Sequence, residues 1–321
     1  MADEKQSGKQ IDFWPDFRSF ATYPVQRKKI FGAAPKLFTI GSCFAIEIRK
    51  AFQARGLTVY PDYTSIQFDP ATQILDKLPR QRALMHYDTF SMLQEFECAF
   101  DLWTDRAASF IEVRNVEANS LLGSDLIFKD PTRRMIYGKT REALADVSTK
   151  VDQTFRAGLD AADVLVLTLG LTEVWRHTVT GRYFGAQPEF GFGGGIGKAT
   201  FHQSSYPENY ANLRMMVELL RTNYPAKPIV ISVSPIHLES TFSDLDVGTA
   251  TTESKAILRA VAGQVCRDFA SRNVHYFPAY EMAQFSHEPV WAPDGRHVRP
   301  EFAASVVAAF FEAFGDEAVA P

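Results

Sequence analysis

The sequence is poor in cysteine. Cys43, Cys98 and Cys266 are an odd number of thiols without close spacing, which excludes a disulfide framework and a CxxC metal site and leaves at least one thiol free. Basic surplus is also missing, since the 321 residues sum to a net charge of -4, whereas a protein that grips phosphate backbones normally gathers an excess of lysine and arginine. No nucleic-acid partner is expected. No uncharged apolar run approaches the ~20 residues needed to cross a bilayer, and the start MADEKQSGKQ has no apolar core of a signal peptide. A soluble, unexported, cytoplasmic protein without a membrane partner is the expectation. The histidines, His86, His177, His202, His237, His275, His287 and His297, form neither an HExxH pattern nor another metal-ligand spacing, so no metal is expected. Internal repeats and low-complexity tracts are absent as well.

What remains is ordinary globular material, 46% hydrophobic and 22% charged, enough for one large α/β domain or two small ones. Residues 1–35 are mixed and punctuated by proline, and read as an arm lying over the domain that fills 36–321. Leu37 to Ile40 is a short apolar run ending at Gly41. Phe44 to Arg55 then carries apolar residues at helical spacing and stops at Gly56. Further strands are expected at Leu57 to Tyr60, Val164 to Leu167, Ile229 to Ile231 and Val274 to Phe277. Helical patterns over about 141–159, 209–222, 254–272 and 301–314 separate or follow them. Such alternation predicts a parallel sheet of five strands covered by helices on both faces. The stretch from about 80 to 139 breaks the rhythm and reads as an insertion or cap, with a hairpin of Leu126 to Phe128 and Met135 to Tyr137 around Asp130-Pro131.

In an open parallel sheet, ligands sit beyond the carboxyl ends of the strands. Five segments fall there: Gly41-Ser42-Cys43, Tyr63-Thr64-Ser65, Gly170 to Glu173, Ser232 to Pro235, and Asp294 to His297. Together they offer a nucleophile, an imidazole and a carboxylate.

Residues 41–45 spell Gly-Ser-Cys-Phe-Ala, and the chain resembles the GSCFA domain family named for that motif. Leu167 to Trp175, Ser232 to Ile236, Tyr276 to Glu281 and Asp294 to His297 continue the likeness in order, over roughly residues 35–300. That family is similar to the SGNH hydrolases. The resemblance implies a flavodoxin-like three-layer α/β/α sandwich and an esterase or acyltransferase, many relatives acting on O-acylated carbohydrates. In the SGNH pattern the first block is Gly-Asp-Ser, which sets Cys43 on the nucleophile position with Ser42 as its rival. The resemblance makes His297 the general base and Asp294 the residue that orients it. The third block departs from the pattern: Gly-x-Asn-Asp becomes Gly170, Leu171, Thr172 and Glu173, so a hydroxyl replaces the amide that would donate to the oxyanion. Thr172 and Glu173 equally suit a helix cap. The second block falls on 63–70, with Ser65 nearest the backbone-donor slot.

The residues support the same chemistry on their own terms. Acyl transfer needs an activated nucleophile, a base, a group that orients the base, and donors for an oxyanion. A turn opening a helix presents Ser42 and Cys43 beside unpaired backbone N–H groups, which favour a thiolate. A small buried thiol at a helix start is the plain alternative for Cys43. Asp294 precedes His297 by three residues, so one loop turn can hold both. Trp175 and Tyr63 can stack on a sugar. Arg176 and His177 receive no role. The glycine-rich stretch Gly191 to Ala199 fails as a phosphate loop, because Phe192 stands where a glycine is required and Ala199 where Ser or Thr is; it reads as a lid or surface loop. No cofactor is expected, apart from an acyl-CoA as acyl donor, and the partner is a small-molecule or saccharide substrate. The rival class is a non-enzymatic binder on the same scaffold.

Overall fold

The computed structural model describes residues 27–74, 85–114, 122–133, 135–186, 188 and 199–316. The glycine-rich stretch and parts of the inserted segment lie outside them.

Five strands form the expected parallel sheet: β1 (Leu37–Gly41), β2 (Val59–Tyr60), β7 (Val164–Leu169), β10 (Ile229–Val233) and β11 (Val274–Phe277). Their spatial order is β2-β1-β7-β10-β11, the doubly wound order in which the chain switches direction between β1 and β7. Alternation along the strands divides the core in two. Leu165, Leu167 and Leu169 of β7 face one layer with Ile229, Ile231 and Val233 of β10. Val164, Val166 and Val230 face the other. The first layer comprises α2 (Thr89–Ala99), α3 (Arg141–Ala161), α4 (Tyr206–Asn223) and α5 (Val247–Asp268). The second is α1 (Cys43–Ala54), α6 (Ala279–Phe285) and α7 (Pro300–Phe314). This is the three-layer α/β/α sandwich.

Helix starts follow their capping residues. Thr140 accepts from the Ala143 N–H at 3.1 Å and Asp246 from the Thr249 N–H at 2.9 Å. The Asp246 cap opens α5 seven residues before the expected start at 254. The described part of the arm lies along the last helix, where Lys28 N donates to Ala313 O at 2.6 Å and Phe31 stacks on Phe310 with centroids 5.5 Å apart.

The hairpin in the inserted segment is present as β5 (Ile127–Lys129) against β6 (Tyr137–Gly138), pairing Phe128 with Gly138. It belongs to a four-stranded antiparallel sheet with β3 (Gln73–Ile74) and β4 (Ile111–Val113), in the order β3-β6-β5-β4. A buried ion network ties this sheet to the main domain. Arg133 grips Glu95 of α2 through two bonds, Nε to Oε1 at 2.9 Å and Nη2 to Oε2 at 2.7 Å. Arg106 adds bonds to Glu95 at 3.2 Å and to Asp152 of α3 at 2.8 Å. Burial pushes the Glu95 carboxyl up, but Arg133 and Arg106 pull harder and hold it well below the usual carboxylate range. Removing Glu95 takes the bidentate partner from the fully buried Arg133 guanidinium and leaves it with the carboxylates of Asp152 and Asp130. Glu95→Ala should therefore lower stability by about 3–5 kcal/mol, measured by urea unfolding.

Candidate active site

Two glycines bring three backbone segments together at the switch point. Gly41 closes β1 at φ +151°, and a Cβ there would stand 2.4 Å from the Thr168 carbonyl of β7. A Cβ on Gly170, just past β7, would meet the Tyr87 carbonyl at 2.5 Å and the Ser42 Cβ at 3.2 Å. Neither position accepts a side chain without the backbone moving.

Immediately after Gly41, Ser42 caps α1 and Cys43 begins it. Both line a cavity of about 430 Å³. Its floor is Gly170 and Leu171; Trp175, Phe184 and Phe242 form an aromatic wall; Asp88, Glu173, Glu239, His237 and Arg296 supply polar groups. The Ser42 hydroxyl is buried and has no hydrogen-bond partner among the described residues, so none of them stands as a base to take its proton. Cys43 is half-buried. Burial pushes its thiol above the ordinary value, against the downward pull of Arg296, Lys255 and the backbone N–H groups of Phe44 and of Cys43 itself.

Asp294 and His297 meet as one unit. His297 Nδ1 lies 2.6 Å from Asp294 Oδ2, while Asp294 Oδ1 accepts from the His297 and Arg296 backbone N–H groups at 2.9 and 3.0 Å. Those bonds, the Arg296 N–H first, hold the Asp294 carboxyl well below the usual carboxylate range. The Arg296 guanidinium stands 3.3 Å from His297 Nε2 and can only donate. Nε2 is therefore the acceptor and Nδ1 carries the proton toward Asp294, the tautomer a general base requires. His297 itself is not in the cavity wall and makes no hydrogen bond to Cys43 or Ser42; Arg296 occupies the wall beside it. From there Arg296 also donates to the His237 carbonyl at 3.3 Å and pairs with Glu239 at 3.2 Å.

Other expected positions lie elsewhere. Thr172 is fully buried away from the cavity: its Oγ1 accepts from Gln203 at 3.1 Å, and its N–H donates to Ser254 Oγ at 3.0 Å. The helix-cap reading of Thr172 and Glu173 fails too, because a strand follows, β8 (Glu173–His177), paired with β9 (Ala199–Gln203). Ser65 sits in a short 3-10 turn, donating to the Asp62 carbonyl at 2.7 Å, and does not line the cavity. Tyr63 is buried in the core rather than offered to a ligand, whereas Trp175 does line the cavity. His177 turns to Thr180. Sequence reasoning missed Arg296, His237 and Lys255. His237 was within reach, as it follows Ser232 to Pro235 at a strand end; Lys255, in mid-helix, gave no signal.

The fold and this site define a doubly wound α/β protein with a cysteine just past the end of its first strand, a polar and aromatic cavity, and an Asp–His pair on the loop that sends Arg296 into the cavity wall. The chain belongs to the GSCFA family, whose model matches residues 36–310. No curated protein matches the sequence. Among solved structures, a Clostridium thermocellum family 3 carbohydrate esterase is 11% identical, with a TM-score of 0.35 over 87% of this chain and 94% of the esterase. A peptidoglycan O-acetylesterase is 12% identical, with a TM-score of 0.36 over 93% of each chain. Neither likeness is close enough to bear on this chain's chemistry. Among the described residues no helix is long and apolar enough to cross a membrane, and no cluster of three metal-ligating side chains occurs.

Thr172 lies outside the cavity wall, with its hydroxyl oxygen accepting from Gln203. Thr172→Val should lower stability by about 1 kcal/mol and leave any acylation of Cys43 at its original rate, checked by thermal unfolding alongside single-turnover mass spectrometry.

Proposed function

We propose that the protein is an acyl-transfer enzyme that works through Cys43. The observation that carries this reading is the thiol on the first residue of α1, at the carboxyl end of β1, lining the 430 Å³ cavity whose wall includes Arg296, the residue held between Asp294 and His297 of the Asp–His pair. In the first step the Cys43 sulfur attacks the acyl carbonyl while His297 Nε2 takes the thiol proton. The N–H groups of Cys43 and Phe44 stabilise the oxyanion, taking the role that Thr172 does not fill. His297 returns the proton to the departing alcohol or thiol, leaving a thioester on Cys43. Water or an acceptor hydroxyl then attacks, giving its proton to His297. To act so, His297 exchanges its Arg296 contact for the sulfur as substrate enters; such bonds commonly form only in the loaded enzyme.

The walls suggest the substrate. Trp175 and Phe242, 5.0 Å apart, give apolar faces of the kind sugar rings stack on, with Glu173, Glu239 and Asp88 as hydroxyl acceptors around them. An O-acylated saccharide, as acceptor or donor, fits this lining. A thiol nucleophile favours transfer from a thioester such as an acyl-CoA, because thioester exchange is nearly balanced, and a cytoplasmic setting would supply that donor. The protein itself needs no cofactor in this scheme.

Intact-mass measurement after incubation with acyl-CoA thioesters and p-nitrophenyl esters tests the reading. Wild type should gain one acyl mass, Ser42→Ala should keep it, and Cys43→Ala should not. Adduct surviving in Cys43→Ala but lost in Ser42→Ala would move the nucleophile to Ser42. No adduct or turnover with any member of the panel would favour a binding protein. For the base, His297→Ala should slow acylation by about 100-fold or more. If His297→Ala acylates normally and His237→Ala does not, the base is His237, which shares the cavity wall with Cys43.

A further inference from the structure

Lys255 lies in the middle of α5 with its side chain fully buried. An ammonium there needs acceptors or a counter-charge, because burial strips its water. Its Nζ donates to the Gly170 carbonyl at 2.7 Å, and no carboxylate among the described residues forms an ion pair with it. Gly170 is buried, packs against Ser42 and lines the cavity, so the bond anchors Nζ behind the turn that carries Cys43. The neighbouring Ser254 accepts from the Thr172 N–H, which fixes this part of α5 against the loop after β7.

Three titratable or charged groups face this lysine or share its field: Cys43 from α1, His237 from the segment after β10, and Arg296 from the loop before α7. Of these only Cys43 becomes negative. We propose that Lys255 is a positioning residue of the Cys43 centre: moored on the Gly170 carbonyl, its ammonium is the buried counter-charge to the Cys43 thiolate. This rests on Cys43 being the nucleophile. Lys255 acts on the sulfur through space and takes no part in the proton transfer, which remains with His297. Burial, against the upward pull of the Cys43 thiolate, leaves the Lys255 ammonium lowered to about 7. By reciprocity the ammonium lowers the thiol by the same coupling, so deprotonation of Cys43 and retention of the Lys255 proton reinforce each other.

The rate of Cys43 alkylation by iodoacetamide, followed by site-resolved mass spectrometry across pH, reads the thiol directly. Lys255→Met and Lys255→Gln should both raise the alkylation midpoint by about one pH unit, a tenfold slower reaction on the acid side. Gln keeps a donor for the Gly170 carbonyl, so a role limited to that hydrogen bond would let Gln restore the wild-type midpoint. Unchanged midpoints in both folded variants, or restoration by Gln, would overturn the proposal. Should neither variant fold, the 13Cε resonance of Lys255 is titrated by NMR in wild type and Cys43→Ala. Its midpoint should fall when the thiol is removed, and identical midpoints would overturn the proposal equally. Failure of the acyl-transfer reading looks different: wild type would form no acyl-enzyme, whatever the alkylation midpoints.

Discussion

Everything at the candidate site hangs on a close approach of backbones. The end of β1, the end of β7 and the segment through Tyr87 meet where Gly41 and Gly170 leave no room for a side chain, with hypothetical Cβ contacts of 2.4 and 2.5 Å to carbonyl oxygens. Because these strands are neighbours at the switch point of the sheet, helix α1 begins there with Ser42 and Cys43 lining the cavity. A residue at that first helical position faces a ligand without any special side-chain contortion. Cys43 occupies it.

Around this point the charges divide into two kinds. The network of Glu95, Asp130 and Asp152 with Arg106 and Arg133, three carboxylates around two guanidiniums, is paired within itself and holds the antiparallel sheet to α2 and α3. Phe184 and Lys129, which border the cavity, depend on that attachment, since Lys129 belongs to β5 of the sheet. Lys255 and Arg296, by contrast, carry positive charge toward the cysteine. A buried matched network stabilises position, whereas a cation without a fixed carboxylate, as at Lys255, is free to answer a charge that appears only during reaction.

Arg296 has a double relation to His297. Its backbone N–H helps hold Asp294, and its guanidinium covers His297 Nε2. In this state the imidazole has the right tautomer but the wrong neighbour. The chemistry proposed for it requires that the guanidinium, already divided among His297, the His237 carbonyl and Glu239, give up the first of these.

Much of the architecture was legible in the sequence because it follows from short-range pattern. Leu37 to Ile40, Val164 to Leu167 and Ile229 to Ile231 are uninterrupted apolar runs, as strands covered on both faces must be, and helical spacing between them leaves a parallel sheet as the outcome. The Gly41-Ser42-Cys43 turn and the Asp294–His297 pair are likewise local, and the resemblance to the GSCFA and SGNH patterns singled them out. Helix α2, in the stretch read as an insertion, was missed, because its buried Glu95 and Gln94 break the apolar stripe and find partners outside the helix, Glu95 in Arg106 and Arg133 and Gln94 in Tyr183. Thr172 and Ser65 were misplaced for the same reason: a hydroxyl's partner, Gln203 for the one and the Asp62 carbonyl for the other, is chosen by the folded backbone. Nor could any spacing announce Lys255, which is a mid-helix lysine until α5 packs it behind Gly170. Local periodicity and turn chemistry belong to the sequence; which polar group meets which across the core is decided only when the layers close.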